Sequence, residues 1–264
     1  MKVISFNVRG LGSLVKRKEI SKLVRIENLD FLFLQETKLE GIEMSLCRLL
    51  WNTDDFDWVM QKSNGNSGGL LCVWNKRNFV KSSVVEGHGF IGILGEWGKQ
   101  RLKCTFVNVY APCDRQRRLV LWGEMSKLVL EEGGRWLLAG DFNVVRHSAE
   151  RKGRLGETQD MEEFNSFVQG TGLIDVRLRN RKFTWYRPDG TSMSRLDRFL
   201  LTTEMSLLEG DWTQVGIRRS ILDHCAIIPK SRNVDWGPKP FRVLDAWQQH
   251  NDFRNFVDER WKTM

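Results

Sequence analysis

The sequence is short of cysteine, histidine and proline and has no long apolar run. Each shortage removes a class of protein. The five cysteines, Cys47, Cys72, Cys104, Cys113 and Cys225, are odd in number and contain no Cys-x-x-Cys pair. This argues against a disulfide framework or a zinc ribbon, and for a reducing, intracellular setting. Cys72, Cys104 and Cys225 sit in apolar runs and read as small core hydrophobes. No apolar stretch approaches the ~18 residues a membrane span needs. Lys2–Phe6 reads as a strand with Arg9 close behind, not as a secretion signal. Internal repeats and low-complexity tracts are absent from the sequence.

What is present suits an ordinary globular protein. A chain of 264 residues with 11 tryptophans and 15 phenylalanines can bury a large core, as one large α/β domain or two small ones. The net charge of +8 and pI near 9.4 are the footprint of a polyanion partner, a nucleic acid or an anionic membrane.

Short runs rich in β-branched and aromatic residues recur at Val3–Phe6, Phe31–Leu34, Trp58–Gln61, Leu70–Trp74, Ile91–Trp97, Lys103–Tyr110, Arg135–Ala139, Phe183–Tyr186, Arg195–Leu201 and Cys225–Ile228. Most are bounded by Gly, Asn, Asp or Ser, as strands are. Helical spacing marks Val15–Glu27 and Arg115–Leu130, and an acidic first turn marks Thr158–Val168. Many strands with a few helices predict an α/β fold of two packed sheets flanked by helices. Three of the five prolines fall between Pro229 and Pro240, and the Trp-Gly-Pro-Lys-Pro stretch interrupts regular structure. A domain over 1–230 is therefore expected, followed over 231–264 by a Pro-containing linker and an amphipathic helical tail at Leu244–Trp261.

The predicted strands end in polar groups. Asn7, Glu36, Tyr110, Asp141 with Asn143, Asp197 and Asp223-His224 each close or open one of them. Any single case is ordinary, because Asp and Asn terminate strands by bonding to nearby backbone. Converging on one sheet edge, the set could build a site on rigid elements. Phosphodiester chemistry needs such groups. A hard cation such as Mg2+ takes oxygen ligands, usually one or two protein carboxylates, which Glu36 and Asp223 could supply. The attacking water needs a base, and Asp141 could serve. Developing charge on oxygen needs donors, for which Asn7, Asn143, Tyr110 and His224 qualify. His224 needs a carboxylate partner, and Asp197 is the candidate.

These residues carry a resemblance. Ser5-Phe6-Asn7-Val8-Arg9-Gly10-Leu11, Gln35-Glu36-Thr37-Lys38, Asn108-Val109-Tyr110-Ala111-Pro112, Gly140-Asp141-Phe142-Asn143, Phe183-Thr184-Trp185, Ser194-Arg195-Leu196-Asp197-Arg198 and Asp223-His224 occur in this order. The chain resembles the endonuclease domain of LINE-type (non-LTR) retrotransposons, the plant versions most, within the exonuclease III-like endonuclease/exonuclease/phosphatase superfamily. The resemblance implies a DNase I-like, four-layered α/β sandwich with two mostly antiparallel sheets, and Mg2+-dependent nicking of DNA, with Mn2+ as a substitute. It gives Glu36 and Asp223 to the metal, and Asp141 and Asn143 to the nucleophile and scissile phosphate. Tyr110 becomes a phosphate contact, Asp197 the partner of His224, and Asn7 the first-strand asparagine.

It also implies a hairpin over Thr184–Asp197 pressed against DNA. Arg187-Pro188-Asp189-Gly190-Thr191 reads as its turn, with Thr184 and Arg187 as substrate contacts. Arg9 is a further substrate contact. A basic loop, Arg146–Arg154, follows the Asp141–Asn143 motif and brings Arg151 as another, beside His147, Lys152 and Arg154. Two departures stand out. Leu222 precedes Asp223-His224 where the family usually has Ser, and Arg9 stands where repair-type members have an acidic residue. In the family a reverse transcriptase follows, whereas no Tyr-x-Asp-Asp motif occurs in this sequence. The expectation is a domain or truncated copy, monomeric, acting in the nucleus. The competing readings are a phosphatase or phosphodiesterase of the same fold acting on lipid or inositol phosphates, and a decayed copy that binds DNA without cutting it.

Overall fold

The computed structural model describes residues 1–65, 67–153, 156–217, 222–232 and 252–262. The chain divides into two compact units, Met1–Arg232 and Asn233–Met264.

In chain order the first unit contains β1 (Val3–Asn7), α1 (Leu14–Glu27), β2 (Phe31–Gln35), α2 (Met44–Trp51), β3 (Phe56–Asn64), β4 (Ser67–Asn75), β5 (Phe79–Gly87), β6 (Phe90–Trp97) and β7 (Leu102–Tyr110). It continues with α3 (Arg115–Glu132), β8 (Arg135–Asp141), β9 (Arg151–Lys152), α4 (Gln159–Gly170), β10 (Ile174–Asp175), β11 (Trp185–Tyr186), β12 (Met193–Ser194), β13 (Asp197–Leu201), α5 (Thr203–Ser206), β14 (Asp211–Gly216) and β15 (Ile227–Arg232). One six-stranded sheet has the order β14-β15-β1-β2-β4-β3, and the other β10-β13-β8-β7-β6-β5. Only β1–β2 and β7–β8 run parallel within them, and the remaining ladders are antiparallel. A small third sheet, β11-β12-β9, joins the hairpin to the loop after β8.

The period-2 alternation of the strands builds the layers. Val3, Phe31, Phe33 and Trp74 from the first sheet meet Phe79, Phe106, Leu137 and Phe199 from the second in a core between them. The alternate residues Ile4, Leu32, Leu34 and Val73 pack under α1 and α2. Val107, Leu138 and Leu200 pack under α3 and α4 with Trp122, Phe164 and Phe167. The result is the four-layered α/β sandwich expected, two mixed sheets with helices outside both.

The sequence reading misses β5, β14 and α2. β5 is an edge strand whose side chains are mostly exposed, so polar residues dilute its apolar signal. α2 is 8 residues long, and no side chain caps it. In the second unit α6 (Phe253–Lys262) coincides with the end of the helix expected at Leu244–Trp261. The remainder of that helix and the Trp-Gly-Pro-Lys-Pro stretch lie outside the described residues.

Candidate active site

The inward-facing row of each central strand is apolar along most of its length and polar at one end. In β2 the row runs Phe31, Phe33, Gln35. In β8 it runs Leu137, Ala139, Asp141, and in β7 Cys104, Phe106, Asn108, Tyr110. Register aligns the polar ends. Asn7 pairs with Gln35 in the first sheet, while Tyr110 pairs with Asp141, and Asp141 with Asp197, in the second. The polar patch is therefore the end of the inter-sheet core. Buried amides tie the two sheets there: Gln35 Nε2 donates to Asn108 Oδ1 at 2.6 Å, and Asn108 Nδ2 donates to the carbonyls of Leu34 and Leu71.

Asp141 and Asp197 are both buried, and like charges opposite one another on a sheet repel. His224, arriving from just before β15, relieves this. Its Nδ1 lies 3.0 Å from Asp197 Oδ2, and its Nε2 lies 3.7 Å from Asp141 Oδ2. Burial by itself would lower the His224 pKa, but the charges of Asp197 and Asp141 outweigh it and hold the pKa at about 9. At neutral pH the ring is an imidazolium. Burial pushes Asp141 up to about 6, against the pull of His224, so it is an ionised but unusually basic carboxylate. Asn143 N donates to Asp141 Oδ1 at 2.9 Å, and Asn7 Nδ2 donates to Oδ2 at 2.9 Å.

Glu36 closes the other side of the cleft. Its Oε1 accepts from Tyr110 Oη at 2.7 Å and Asn7 Nδ2 at 3.4 Å, and Lys38 Nζ lies 3.5 Å from its Oε2. Burial and Glu36 both keep the Tyr110 phenol protonated, so it acts as a donor. Backbone strain marks the same place. Of the seven described non-glycine residues with positive φ, Arg9, Glu36, Lys38 and Asn143 all lie at this edge.

A model of the Endonuclease/Exonuclease/phosphatase family matches residues 4–216. The chain belongs to this family. Its members are hydrolases, nucleases and phosphatases that generally depend on a divalent metal. The fold is similar to that of a 3′ phosphatase from Neisseria, at 17% identity and TM-score 0.70, covering 88% of this chain and 99% of that one. It is also similar to an AP endonuclease from Leishmania major, at 18% identity and TM-score 0.68, covering 88% and 87%. A third similar structure is the endonuclease domain of TRAS1, a telomere-specific non-LTR retrotransposon, at 13% identity and TM-score 0.65, covering 88% and 99%.

The donor set suits the family's metal. Glu36 is a hard oxygen donor at a partly open position, linked to Asp141 through the Asn7 amide nitrogen, which donates to both carboxylates. Asp141, Asp197 and His224 also bring ligand atoms within 4.8 Å of one another. However, His224 Nδ1 is committed to Asp197, and the charged ring already supplies a cation to both carboxylates. That triad is better suited to proton and charge handling than to holding an ion.

The hairpin forms as expected. Arg187 N bonds Ser192 O, Gly190 N bonds Arg187 O, and Gly190 takes the positive φ that the turn requires. Arg187 is exposed at its tip, paired with Asp189. Thr184 needs correcting as a substrate contact. It is 0% exposed, and its hydroxyl accepts from the backbone N–H groups of Leu196 and Asp197 at 3.0 Å each. It positions Asp197 from behind. The basic loop is likewise only partly surface. Arg146 bonds Asn165 and Asp175, and Arg151 sits in β9 against β12. Arg154 lies outside the described residues. Leu222 is half-buried and packs against the apolar cluster beneath the first sheet.

Sequence reasoning gave no role to Trp185 or to a buried ion network. Trp185 Nε1 donates to Asp223 Oδ2 at 3.0 Å. Arg198 is 0% exposed and, with Arg195, grips Glu150 and Asp175 directly behind Asp197. Arg198 sits one residue after Asp197, on the opposite side of β13. Strand alternation was the available signal for a charge turned toward the helices.

Proposed function

We propose that this chain is a Mg2+-dependent endonuclease that nicks DNA, as a LINE-type retroelement does at its target site. The observation that carries the reading is the Asp141–His224–Asp197 arrangement, a basic carboxylate beside a buried imidazolium. Asp141 takes the proton of the attacking water. His224, through its Nε2 proton, together with Asn143, donates to the phosphoryl oxygens as charge develops, while Tyr110 and Asn7 position Glu36 and Asp141 through the bonds they donate to them. Asp197 holds the ring and its charge. Glu36 would hold Mg2+, or Mn2+ in its place, and the bound ion would supply neutralisation of the phosphodiester charge. Arg187 on the hairpin and Arg151 beside it, in a chain of net charge +8, supply phosphate contacts of the kind a long polyanion offers. The protein acts as a monomer, in the nucleus where its DNA target lies.

The test is conversion of supercoiled plasmid to open circle with Mg2+ or Mn2+. Activity should vanish with EDTA, with Asp141→Ala and with His224→Ala. Equal nicking by the Asp141→Ala protein would sink the mechanism. Faster hydrolysis of inositol phosphates or sphingomyelin than of plasmid would move the substrate away from DNA. Salt-sensitive DNA binding without cleavage by the wild-type protein would mark a decayed copy.

A further inference from the structure

Asp223 begins as a candidate metal ligand, yet the structure uses its charge differently. Arg9 Nη1 and Trp185 Nε1 both donate to its Oδ2. The Asp223 side chain is 8% exposed, so its charge has to be balanced locally, and a guanidinium in contact does so.

The two donors are held in place from opposite sides. The Arg9 loop is zipped to the segment after β2 by Val8 N to Gln35 O, Gly10 N to Glu36 O and Leu11 N to Thr37 O. Lys16 Nζ caps the same loop, donating to the carbonyls of Val8, Arg9 and Gly10 at 2.8–3.1 Å. Asn7 Oδ1 accepts from Arg9 N at 3.1 Å. Arg9 itself takes φ +43, a conformation held by these bonds. On the other side, Tyr186 N donates to Asp223 O at 2.9 Å, which locks Asp223 to the base of the hairpin. Lys16 adds positive charge nearby, and burial together with the charges of Lys38 and Arg9 lowers the Lys16 pKa. A divalent ion at Asp223 would have to displace a guanidinium and sit among these cations. At Glu36 the cation in contact among the described residues is Lys38, 3.5 Å from Oε2, and the neutral donors Tyr110 and Asn7 bond Oε1.

We propose that Arg9 is a resident cation for Asp223, so that the cleft takes one divalent ion, at Glu36, and Asp223 is a positioning residue, not a ligand. The proposal rests on the metal-dependent reading of the same cleft. Asp223 ties the β1–α1 loop to the hairpin, and Arg9, whose side chain is 50% exposed, keeps further N–H donors at the cleft margin.

The experiment is Mn2+ titration of the chelator-stripped full chain, read by electron paramagnetic resonance of free Mn2+. One ion per chain is expected, lost in Glu36→Gln. Asp223→Asn, which keeps an acceptor for Trp185, should retain that one ion with a Kd changed less than threefold. Arg9→Ala should gain a second ion that the Arg9→Ala, Asp223→Asn double variant loses. Circular dichroism melts identify any unfolded variant, and the wild-type stoichiometry does not depend on a variant folding. Two ions in the wild-type protein, a tenfold or greater weakening by Asp223→Asn, or a single ion in folded Arg9→Ala would each overturn the proposal and leave the metal-dependent reading intact. No Mn2+ bound by the wild-type protein would overturn both.

Discussion

Asp141 and Asp197 face each other in register across the β8–β13 ladder, two buried carboxylates with the His224 ring set against both. The two carboxylates raise the His224 pKa, and the charge of the protonated ring offsets their mutual repulsion.

The pH dependence of cleavage follows. Activity should rise as Asp141 loses its proton, near pH 6, and fall as His224 loses its own, near pH 9. Asp197→Asn removes the largest of the charges that raise the His224 pKa, so the alkaline limb should move to lower pH. A kcat/KM profile of both proteins on plasmid checks this. An unmoved alkaline limb would mean that Asp197 does not set the charge of His224.

Thr184→Val should leave the hairpin in place but remove the acceptor shared by Leu196 N and Asp197 N. Two buried N–H groups then lack a partner, which should cost about 1–3 kcal/mol in urea unfolding. Cleavage should fall with little change in DNA affinity, because Thr184 does not reach the surface.

The network behind Asp197 should be the structural weak point in acid. Burial opposes ionisation of Glu150, but Arg198 and Arg195 outweigh it and lower the pKa from its ordinary 4.5 to about 2. A carboxylate lowered on folding stabilises above its unfolded pKa, and that contribution fades as pH falls from about 4.5 toward about 2. Arg198→Met leaves Glu150 and Asp175 undercompensated and should cost about 3–5 kcal/mol at neutral pH. Thermal melts from pH 7 to pH 3 should show the gap between variant and wild type narrowing in acid.

Arg187 is a different kind of residue, 60% exposed and paired with its neighbour Asp189 in the hairpin turn. Arg187→Ala should weaken DNA binding evenly across sequences and reduce the salt slope by about 1. Stability should be unchanged. A slope identical to that of wild type would take Arg187 out of the DNA contact.

The sequence determined the layers and the identity of most of the cleft. Alternation fixed which residues of β1, β2, β7 and β8 face inward, and the polar ends Asn7, Tyr110 and Asp141 could be read from it. Asp197 and His224 were legible as a pair because a buried histidine needs a carboxylate. Tertiary structure decided the rest, because partner choice depends on contacts far apart in the chain. Thr184 reads as a surface hairpin residue until the β11 backbone pairs with residue 224 and turns it inward. Asp223 reads as a ligand until Arg9, 214 residues away, and Trp185 reach the same oxygen. Periodicity reports which face a side chain takes. Which charge it meets on that face is set only when the two sheets and the hairpin close together.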